Sequence, residues 1–257
     1  MPPKKFVQDF QVTQNIRLNK RHFILELLAP EKLPVIFPGQ FVQVLVENSP
    51  STFLRRPLSI HSVDYDKNTL RLLIQIKGEG TRHLSLLQEG DSLNLIFPLG
   101  NSFSMTNEEE VLLVGGGCGA APLLFLAQTL KQQGIVPHIL LGFRTNEEVS
   151  ELEEYSKYGI VLITTEDGTA GEKGLVVDHS IFQKERLPYK KIYCGPDSMM
   201  KSVAGIGKMH GIDCEVSLEN MMACGFGVCL CCVTPTDKGN ERVCMEGPVF
   251  NIKRLHW

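Results

Sequence analysis

A short segment near the C-terminal end of this chain is unusually rich in cysteine. The stretch ACGFGVCLCC (223–232) holds four cysteines in nine positions, and Cys244 follows after a turn-rich insert. Counted from Cys224, the spacing is C-x4-C-x2-C through Cys229 and Cys232. This spacing is typical of plant-type [2Fe–2S] centres, in which four thiolates bind two irons. We therefore predict that the segment folds around an iron–sulfur cluster.

The glycines between the cysteines favour the same interpretation. Gly225 and Gly227 permit the unusual φ values of a tightly wrapped loop and let backbone N–H groups approach the sulfurs. The fourth ligand is expected to follow a separate hairpin, because PTDKGNERV (235–243) has the composition of a turn. Cys231 would give a single-residue gap after Cys229, so it is predicted to be the spare thiol. The predicted metal ligands are Cys224, Cys229, Cys232 and Cys244.

Three other uses of these cysteines stay open at this point. Structural zinc would prefer a second C-x2-C or a histidine pair, whereas the nearest later histidine is His256. Disulfides and buried free thiols are the other two. In a cytoplasmic protein, however, clustered cysteines more often bind metal or carry out redox chemistry.

Composition and charge restrict the class of protein further. The net charge of −3, without a polybasic run, gives no support to nucleic-acid binding. The N-terminus MPPKKFVQDF lacks the apolar segment of a signal peptide. The most apolar stretch, VLLVGGGCGAAPLLFLA (111–127), falls short of the roughly 20 residues that a membrane span needs. We expect a soluble cytoplasmic protein with no nucleic-acid and no membrane partner.

The periodicity of the chain predicts an α+β multi-domain fold. Residues 1–104 contain short apolar strands punctuated by glycines, which is typical of an antiparallel β-barrel. In residues 105–214 strands alternate with helices, one of them predicted over 146–159, and this alternation indicates a doubly wound parallel α/β nucleotide-binding domain. Residues 215–257 form the small C-terminal [2Fe–2S] segment.

Two glycine turns are candidate phosphate sites. GGGCGAAP (115–122) lies between a strand and a helix and fits G-x-G-x-x-A, a pattern that presents backbone N–H groups to a phosphate. GEGT (78–81) opens a short helix in the barrel. No acidic residue ends the second strand, where a standard Rossmann fold binds ribose, so a plain strand–helix turn stays open for 115–122.

The stretch FLRRPLSI (53–60) is a candidate flavin site. An arginine beside a rigid proline can clamp a diphosphate, and a nearby hydroxyl can reach a flavin ring atom. Arg55 and Arg56 precede Pro57, and Ser59 supplies the hydroxyl. A solvated strand edge is the competing interpretation.

These motifs together resemble a known family. The barrel with RRPLS and GEGT, the sheet domain with GGGCGAAPL and CGPDSMM, and the tail SLENMMACGFGVCLCCV look like the electron-transfer subunit of class B dihydroorotate dehydrogenase. That subunit belongs to the ferredoxin–NADP reductase superfamily. The resemblance covers essentially the whole chain and implies an FAD-binding domain (1–104), an NAD-binding domain (105–214) and a [2Fe–2S] segment (215–257).

The resemblance also implies which residues contact the cofactors FAD and NAD. FAD would lie against Arg56, Pro57, Leu58, Ser59, Leu73, Ile74, Gln75, Gly80 and Thr81. NAD would lie against Gly115, Gly116, Gly117, Cys118, Gly119, Cys194, Gly195, Pro196 and Asp197. Cys118 stands where the superfamily more often has threonine, which leaves its own contact open. Cys194 either faces the nicotinamide or is a buried strand-end cysteine.

The function that the resemblance implies is electron transfer in pyrimidine biosynthesis. Electrons would pass between NAD, FAD, the cluster and the FMN of a separate catalytic subunit that oxidises dihydroorotate, in a heterotetramer of two of each subunit. No acid–base set for dihydroorotate is visible in this chain, and no catalytic residue is predicted. The alternatives are a stand-alone NAD(P)H–acceptor reductase, a subunit of another complex such as a hydrogenase, and a non-catalytic zinc-stabilised binding module.

Overall fold

The structure, a computed structural model, describes residues 4–47, 49, 51–195 and 198–256. Its N-terminal part is a barrel-like, seven-stranded antiparallel sheet with the strand order β4-β3-β7-β1-β2-β6-β5. The elements in chain order are β1 (Phe6–Arg17), β2 (His22–Leu28), β3 (Phe41–Val44), β4 (Arg56–Ser59), β5 (Ser62–Asp64), β6 (Thr69–Gln75), the helix α1 (Glu79–Leu84) and β7 (Ser92–Leu99).

Strand β3 shows how this sheet joins the rest of the molecule. Successive side chains of a strand point to opposite faces. Val42 and Val44 lie in the core of the barrel. Phe41 instead packs in the core that contains the C-terminal cysteines, and Gln43 contacts the loop at Gly225. One short strand therefore binds the barrel to the cysteine segment.

The second part of the chain is a three-layer α/β unit. Its sheet has the order β11-β10-β9-β8-β12-β13-β16, parallel except for the last strand. The elements are β8 (Val111–Gly116), α2 (Ala121–Gln132), β9 (His138–Phe143), α3 (Leu152–Ser156), β10 (Ile160–Thr165), β11 (Glu172–Lys173), β12 (Lys191–Cys194), α4 (Ser198–Met209), β13 (Asp213–Ser217), β14 (Val233–Thr236), β15 (Gly239–Arg242) and β16 (Val249–Asn251).

The central strand β8 explains why helices cover both faces of this sheet. Leu112 and Val114 share one buried core with residues of α4, whereas Val111 and Leu113 share another with residues of α2. The strand order also reverses beside β8, because β9 lies on one side of it and β12 on the other. In such sheets ligands bind at the carboxyl ends of the strands next to the reversal. The predicted fold class is confirmed.

The C-terminal segment is built into this sheet. Strands β14 and β15 form the predicted antiparallel hairpin, and β16 then pairs antiparallel with β13. Strand β13 runs across the predicted boundary between 214 and 215. Asn101, just after β7, donates side-chain hydrogen bonds to the carbonyls of Glu246 (2.9 Å) and Val249 (2.8 Å). The tail is thus held by both larger parts of the molecule.

The helix predicted over 146–159 is wrong as one continuous element. A 3-10 turn, Asn146–Glu148, precedes α3, and Glu151 between them adopts a left-handed φ of 59°. The cause is tertiary, because the Glu151 carboxylate lies 3.1 Å from Nε2 of the fully buried His61. None of the helices in the described ranges is long and apolar enough to cross a membrane.

Candidate functional site

A cleft of about 740 Å³ opens between the barrel, the turn after β8 and the C-terminal segment. Every residue predicted to contact FAD lines this cleft except Ile74. Ile74 alternates with Leu73 and Gln75 along β6, so its side chain enters the barrel core instead. Arg55 also faces away, because its guanidinium donates to the carbonyls of Gln43 and Asn94, both at 3.2 Å.

The floor of this cleft fits a diphosphate. A Cβ at Gly80 would lie 2.8 Å from Cγ2 of Thr52 and 3.3 Å from Nε of Arg56, so only glycine allows this close approach. The Thr81 hydroxyl accepts hydrogen bonds from the backbone N–H groups of Lys77 (2.9 Å) and Gly78 (3.2 Å), which folds the turn. Arg56 and Lys77 both line the cleft and supply positive charge for the phosphates.

A second cleft, of about 350 Å³, lies at the carboxyl ends of β8, β9 and β10. Its floor consists of Gly116, Gly142 and Thr164, which are in register on these three neighbouring strands. A Cβ at Gly142 would lie 2.5 Å from Cγ1 of Val176, so glycine at this position makes room for the Val176 side chain, which also lines the cleft. The carboxyl ends of these strands are the position at which doubly wound sheets bind nucleotides.

The predicted nucleotide turn divides into lining residues and supporting residues. Gly116, Gly117 and Cys118 line the second cleft. Gly115 serves the packing of the turn, since a Cβ there would lie 2.8 Å from Cδ1 of Leu123. Gly119 is in van der Waals contact with the chain at Gly195.

In the second segment predicted to contact NAD, which begins at Cys194, the cysteine thiol does not face the cleft. Cys194 is fully buried, and burial raises the pKa of its thiol well above the ordinary value. Its Sγ lies 3.2 Å from the carbonyl of Gly195, so Cys194 is a buried strand-end cysteine. A Cβ at Gly195 would lie only 1.9 Å from the carbonyl oxygen of Gly119. Pro196 and Asp197 lie outside the described residues.

The two clefts meet at one point. Cys118 and Gln75 line both of them, and Sγ of Cys118 lies 3.6 Å from Oε1 of Gln75. A flavin in the larger cleft and a nucleotide in the smaller one would therefore come together at these two side chains.

The predicted metal ligands form two pairs of sulfurs. Cys224 lies beside Cys229, and Cys232 lies beside Cys244, whose backbone N–H is 3.4 Å from Sγ of Cys232. Cys231 belongs to neither pair and lines the larger cleft. The structure thus pairs the four predicted ligands two by two, while the predicted spare thiol is part of the cleft lining.

Backbone N–H groups prepare Cys224 for metal binding. Sγ of Cys224 accepts from the N–H groups of Phe226 (3.5 Å) and Val228 (3.3 Å). Burial alone would raise the pKa of this thiol, but hydrogen bonds from the backbone of Cys229, Phe226 and Val228 outweigh burial and lower the pKa to about 6. For Cys244, burial and the neighbouring Cys232 raise the pKa to about 12. The backbone hydrogen bonds therefore favour the thiolate form of Cys224, which is the form that binds metal.

The loop itself fits a cluster. Gly225 and Gly227 have φ angles of 77° and 89°, which favour glycine, and a Cβ at either would lie 2.6 Å from a neighbouring side-chain carbon. Within the described part of the chain, no three histidine, cysteine, aspartate or glutamate side chains surround a single point as one metal ion requires. A two-iron cluster takes two thiolates on each iron, and the pairs Cys224–Cys229 and Cys232–Cys244 fit such a division.

Comparisons with known proteins define the class. An oxidoreductase FAD-binding domain matches residues 9–103, and an iron–sulfur cluster binding domain of dihydroorotate dehydrogenase B matches residues 219–256. A structure of NADH-dependent reduced ferredoxin–NADP oxidoreductase is 29% identical with a TM-score of 0.87, covering 96% of this chain and 90% of that one. The ferredoxin reductase of carbazole 1,9a-dioxygenase shares the fold, with 19% identity, a TM-score of 0.69 and coverage of 82% and 67%. The chain is a flavoprotein oxidoreductase of the ferredoxin–NADP reductase fold with an iron–sulfur cluster domain.

Curated relatives define the family more narrowly. The dihydroorotate dehydrogenase B (NAD(+)) electron transfer subunit of Fusobacterium nucleatum is 35% identical over 252 residues, which cover 95% of this chain and 96% of that protein. The subunit of the same name from Caldanaerobacter subterraneus is 41% identical over 218 residues, covering 83% and 84%. The chain belongs to the family of dihydroorotate dehydrogenase B electron transfer subunits. The resemblance stated from the sequence and the FAD and iron–sulfur cofactors are confirmed.

Sequence reasoning missed several residues of these clefts. Thr52 and Lys77 flank the diphosphate floor, and His22 and Thr164 line the smaller cleft. Thr52 and Lys77 lie within four residues of predicted motifs, so a wider window would have included them. His22 and Thr164 carry no such signal, because only the packing of the barrel against the sheet brings them to one cleft.

Proposed function

We propose that this chain transfers electrons between NAD and a separate catalytic subunit, through FAD and a [2Fe–2S] cluster. The observation that carries the proposal is the continuity of the sites: Cys118 and Gln75 border both clefts, and Cys231 of the cysteine segment borders the larger one. Bound flavin would link NAD to the cluster, since flavin exchanges hydride with nicotinamide and single electrons with a cluster.

In this proposal FAD, NAD and the cluster are each bound by a different group of residues. Arg56 and the turn at Gly80 and Thr81 hold the diphosphate of FAD, while Pro57, Leu58, Ser59, Leu73 and Gln75 line the rest of its cleft. Gly116, Gly117 and Cys118 contact NAD, supported from behind by Gly115, Gly119 and Gly195. Pro196 and Asp197 remain predicted contacts. The cluster ligands are Cys224, Cys229, Cys232 and Cys244.

The physiological reaction follows from the family. Its members carry NAD(+) and dihydroorotate dehydrogenase B in their names, which supports NAD as one electron partner and dihydroorotate as the source. We propose a cytoplasmic heterotetramer in which two copies of this chain serve two FMN-containing catalytic subunits of pyrimidine biosynthesis. Net electron flow would run from dihydroorotate to NAD⁺.

This division of labour has a direct test. The purified chain, loaded with FAD and cluster, should oxidise NADH with an artificial dye as acceptor and should not oxidise dihydroorotate. Adding the catalytic subunit should bring dihydroorotate-dependent NAD⁺ reduction. Both reactions are followed by NADH absorbance under anaerobic conditions. Dihydroorotate turnover by this chain alone would refute the proposal.

An exposed apolar surface on the cysteine segment supports a partner at that place. Met221, Val228 and Leu230 are 83%, 74% and 62% exposed, and Phe226 lies between them in the chain. Exposed apolar side chains grouped in one short segment favour an interaction site. Since electrons must leave through the cluster, we place the catalytic subunit on this surface.

Polar substitution of this surface should weaken the complex. The double variant Val228→Gln with Leu230→Gln should bind the catalytic subunit at least about tenfold more weakly, because each buried apolar side chain is worth about 1.5–3 kcal/mol. Neutral glutamine avoids a new charge beside the cluster. The matched control is Val35→Gln, which changes an equally exposed apolar residue on the barrel (69% exposed). Affinity is measured by biolayer interferometry with EPR on each sample; unchanged affinity in the double variant would count against this placement.

A second candidate function is supported by similarity to a solved structure. The chain is similar over 96% of its length to the NADH-dependent reduced ferredoxin–NADP oxidoreductase structure, which belongs to another electron-transfer system. A partner other than a dihydroorotate-oxidising subunit is therefore the alternative. Co-purification of the native chain and mass spectrometry of its partner decide between the two.

A further inference from the structure

Two buried polar atoms border the smaller cleft without a hydrogen-bond partner among the described residues. They are Nε2 of His22, at the start of β2, and Oγ1 of Thr164, in β10. His22 is only 4% exposed and Thr164 is fully buried. A buried polar group left unpaired is costly, because it has lost its hydrogen bonds to water, and it is uncommon in native proteins. Two such atoms on one cleft point to a ligand that supplies their partners.

The hydrogen bonds around His22 determine what its free nitrogen can do. The Oδ1 atom of Asn19 accepts from the backbone N–H groups of Arg21 and His22, each at 2.9 Å, so this atom is an acceptor. It also lies 3.1 Å from Nδ1 of His22, which must therefore carry the ring proton. Burial, the largest influence, lowers the pKa of His22 and favours the neutral ring. Nε2 is consequently an unprotonated acceptor.

The position of Nε2 identifies which part of a dinucleotide it meets. His22 pairs across the sheet with Gln75, which borders both clefts. A Cβ placed on Gly117 would lie 4.0 Å from Nε2, so the nitrogen faces the glycine turn. Nε2 therefore lies at the flavin end of the smaller cleft. A diphosphate offers no hydrogen-bond donor at neutral pH, whereas a nicotinamide riboside offers a carboxamide NH₂ and two hydroxyls.

We propose that His22 is a binding residue for the nicotinamide half of NAD, with Nε2 accepting a hydrogen bond from the nicotinamide riboside. This inference rests on the proposed function, because it takes NAD as the ligand of the smaller cleft. The hydrogen bond holds the nicotinamide beside Gln75, at the junction with the flavin cleft. Asn19 acts as a positioning residue, since its amide oxygen sets the tautomer of the ring.

The test separates the two halves of the ligand. Isothermal titration of the FAD-loaded chain with NAD⁺ and with ADP compares a ligand that has the nicotinamide riboside with one that lacks it. His22→Phe keeps the ring but removes the acceptor, and it should weaken NAD⁺ about tenfold, equal to about 1.4 kcal/mol, with ADP unchanged. His22→Gln, whose side-chain oxygen can accept, should recover part of the affinity.

His138→Phe changes a half-buried imidazole outside the cleft and should leave both affinities unchanged. Thermal melting of each variant checks folding. Equal NAD⁺ affinity in His22→Phe and wild type, or equal losses for NAD⁺ and ADP, would overturn the inference while leaving the proposed function standing. A wild-type chain that binds no NAD⁺ would overturn the proposed function and this inference with it.

Discussion

Cys231→Ala should assemble a normal cluster, whereas Cys232→Ala and Cys244→Ala should lose most of their iron and acid-labile sulfide. Cys232 and Cys244 are 2% and 1% exposed and lie beside each other, so no solvent ligand can easily replace either sulfur. Cys231 instead borders the flavin cleft. EPR of the reduced proteins, with iron and sulfide analysis, measures the result.

The decisive sample of this set is Cys231→Ala by itself. In Cys232→Ala the neighbouring Cys231 is available to replace the lost ligand, so partial cluster content there leaves the assignment intact. No such exchange exists when Cys231 is the residue removed. If Cys231→Ala fails to assemble its cluster, the ligand set of Cys224, Cys229, Cys232 and Cys244 is wrong.

Gly195→Ala should lower NADH-dependent dye reduction at least about fivefold, because overpacking of this kind costs about 1–3 kcal/mol and the strain falls on the nucleotide turn. The new Cβ would lie 1.9 Å from the carbonyl oxygen of Gly119 and 2.8 Å from its carbonyl carbon. Both contacts are with backbone atoms of Gly119, which cannot rotate away as a side chain can. The backbone at Gly195 is also held, because its N–H donates a hydrogen bond to the carbonyl of Val114 (3.0 Å). The turn at 115–119 must shift, and the nucleotide site shifts with it.

The matched control for this substitution is Gly205→Ala in α4. A Cβ at Gly205 meets nothing within 4 Å, so this variant should keep full activity and melt at an equal or higher temperature, since alanine favours a helix by up to about 1 kcal/mol. Steady-state kinetics and calorimetry are measured on both variants, with flavin and iron content as a check. Full activity in Gly195→Ala would show that the glycine turn does not hold the nucleotide.

Several parts of the site could be predicted from the sequence because their chemistry is local. The C-x4-C-x2-C spacing, with Gly225 and Gly227 inside it, allows a loop whose N–H groups reach Sγ of Cys224. The alternation of Leu73, Ile74 and Gln75 along β6 also decides which side chains face the flavin cleft. The resemblance implied contact with FAD for all three, whereas alternation places only Leu73 and Gln75 in the cleft.

Other features depended on contacts between residues far apart in the chain. The helix predicted over 146–159 has a strong local pattern, but Glu151 leaves helical geometry to meet His61, which is 90 residues earlier. Cys194 was equally compatible with a cleft and a core position until the packing of α4 and β13 enclosed it. Local propensity is worth tenths of a kcal/mol per residue, whereas burying an unpaired imidazole or carboxylate costs several.

The class of fold and the family could be predicted from the sequence, and the cluster ligands proposed from it, because periodicity, glycine placement and cysteine spacing act within a few residues. Where the barrel, the sheet and the tail contact one another became clear only from the folded chain. It brought Cys118 and Gln75 to the junction of two clefts, set Cys231 against the flavin cleft and left Nε2 of His22 facing the glycine turn. These tertiary contacts arise from the burial of apolar surface between the barrel, the sheet and the tail. No single segment of the chain encodes that burial, because it depends on all three parts.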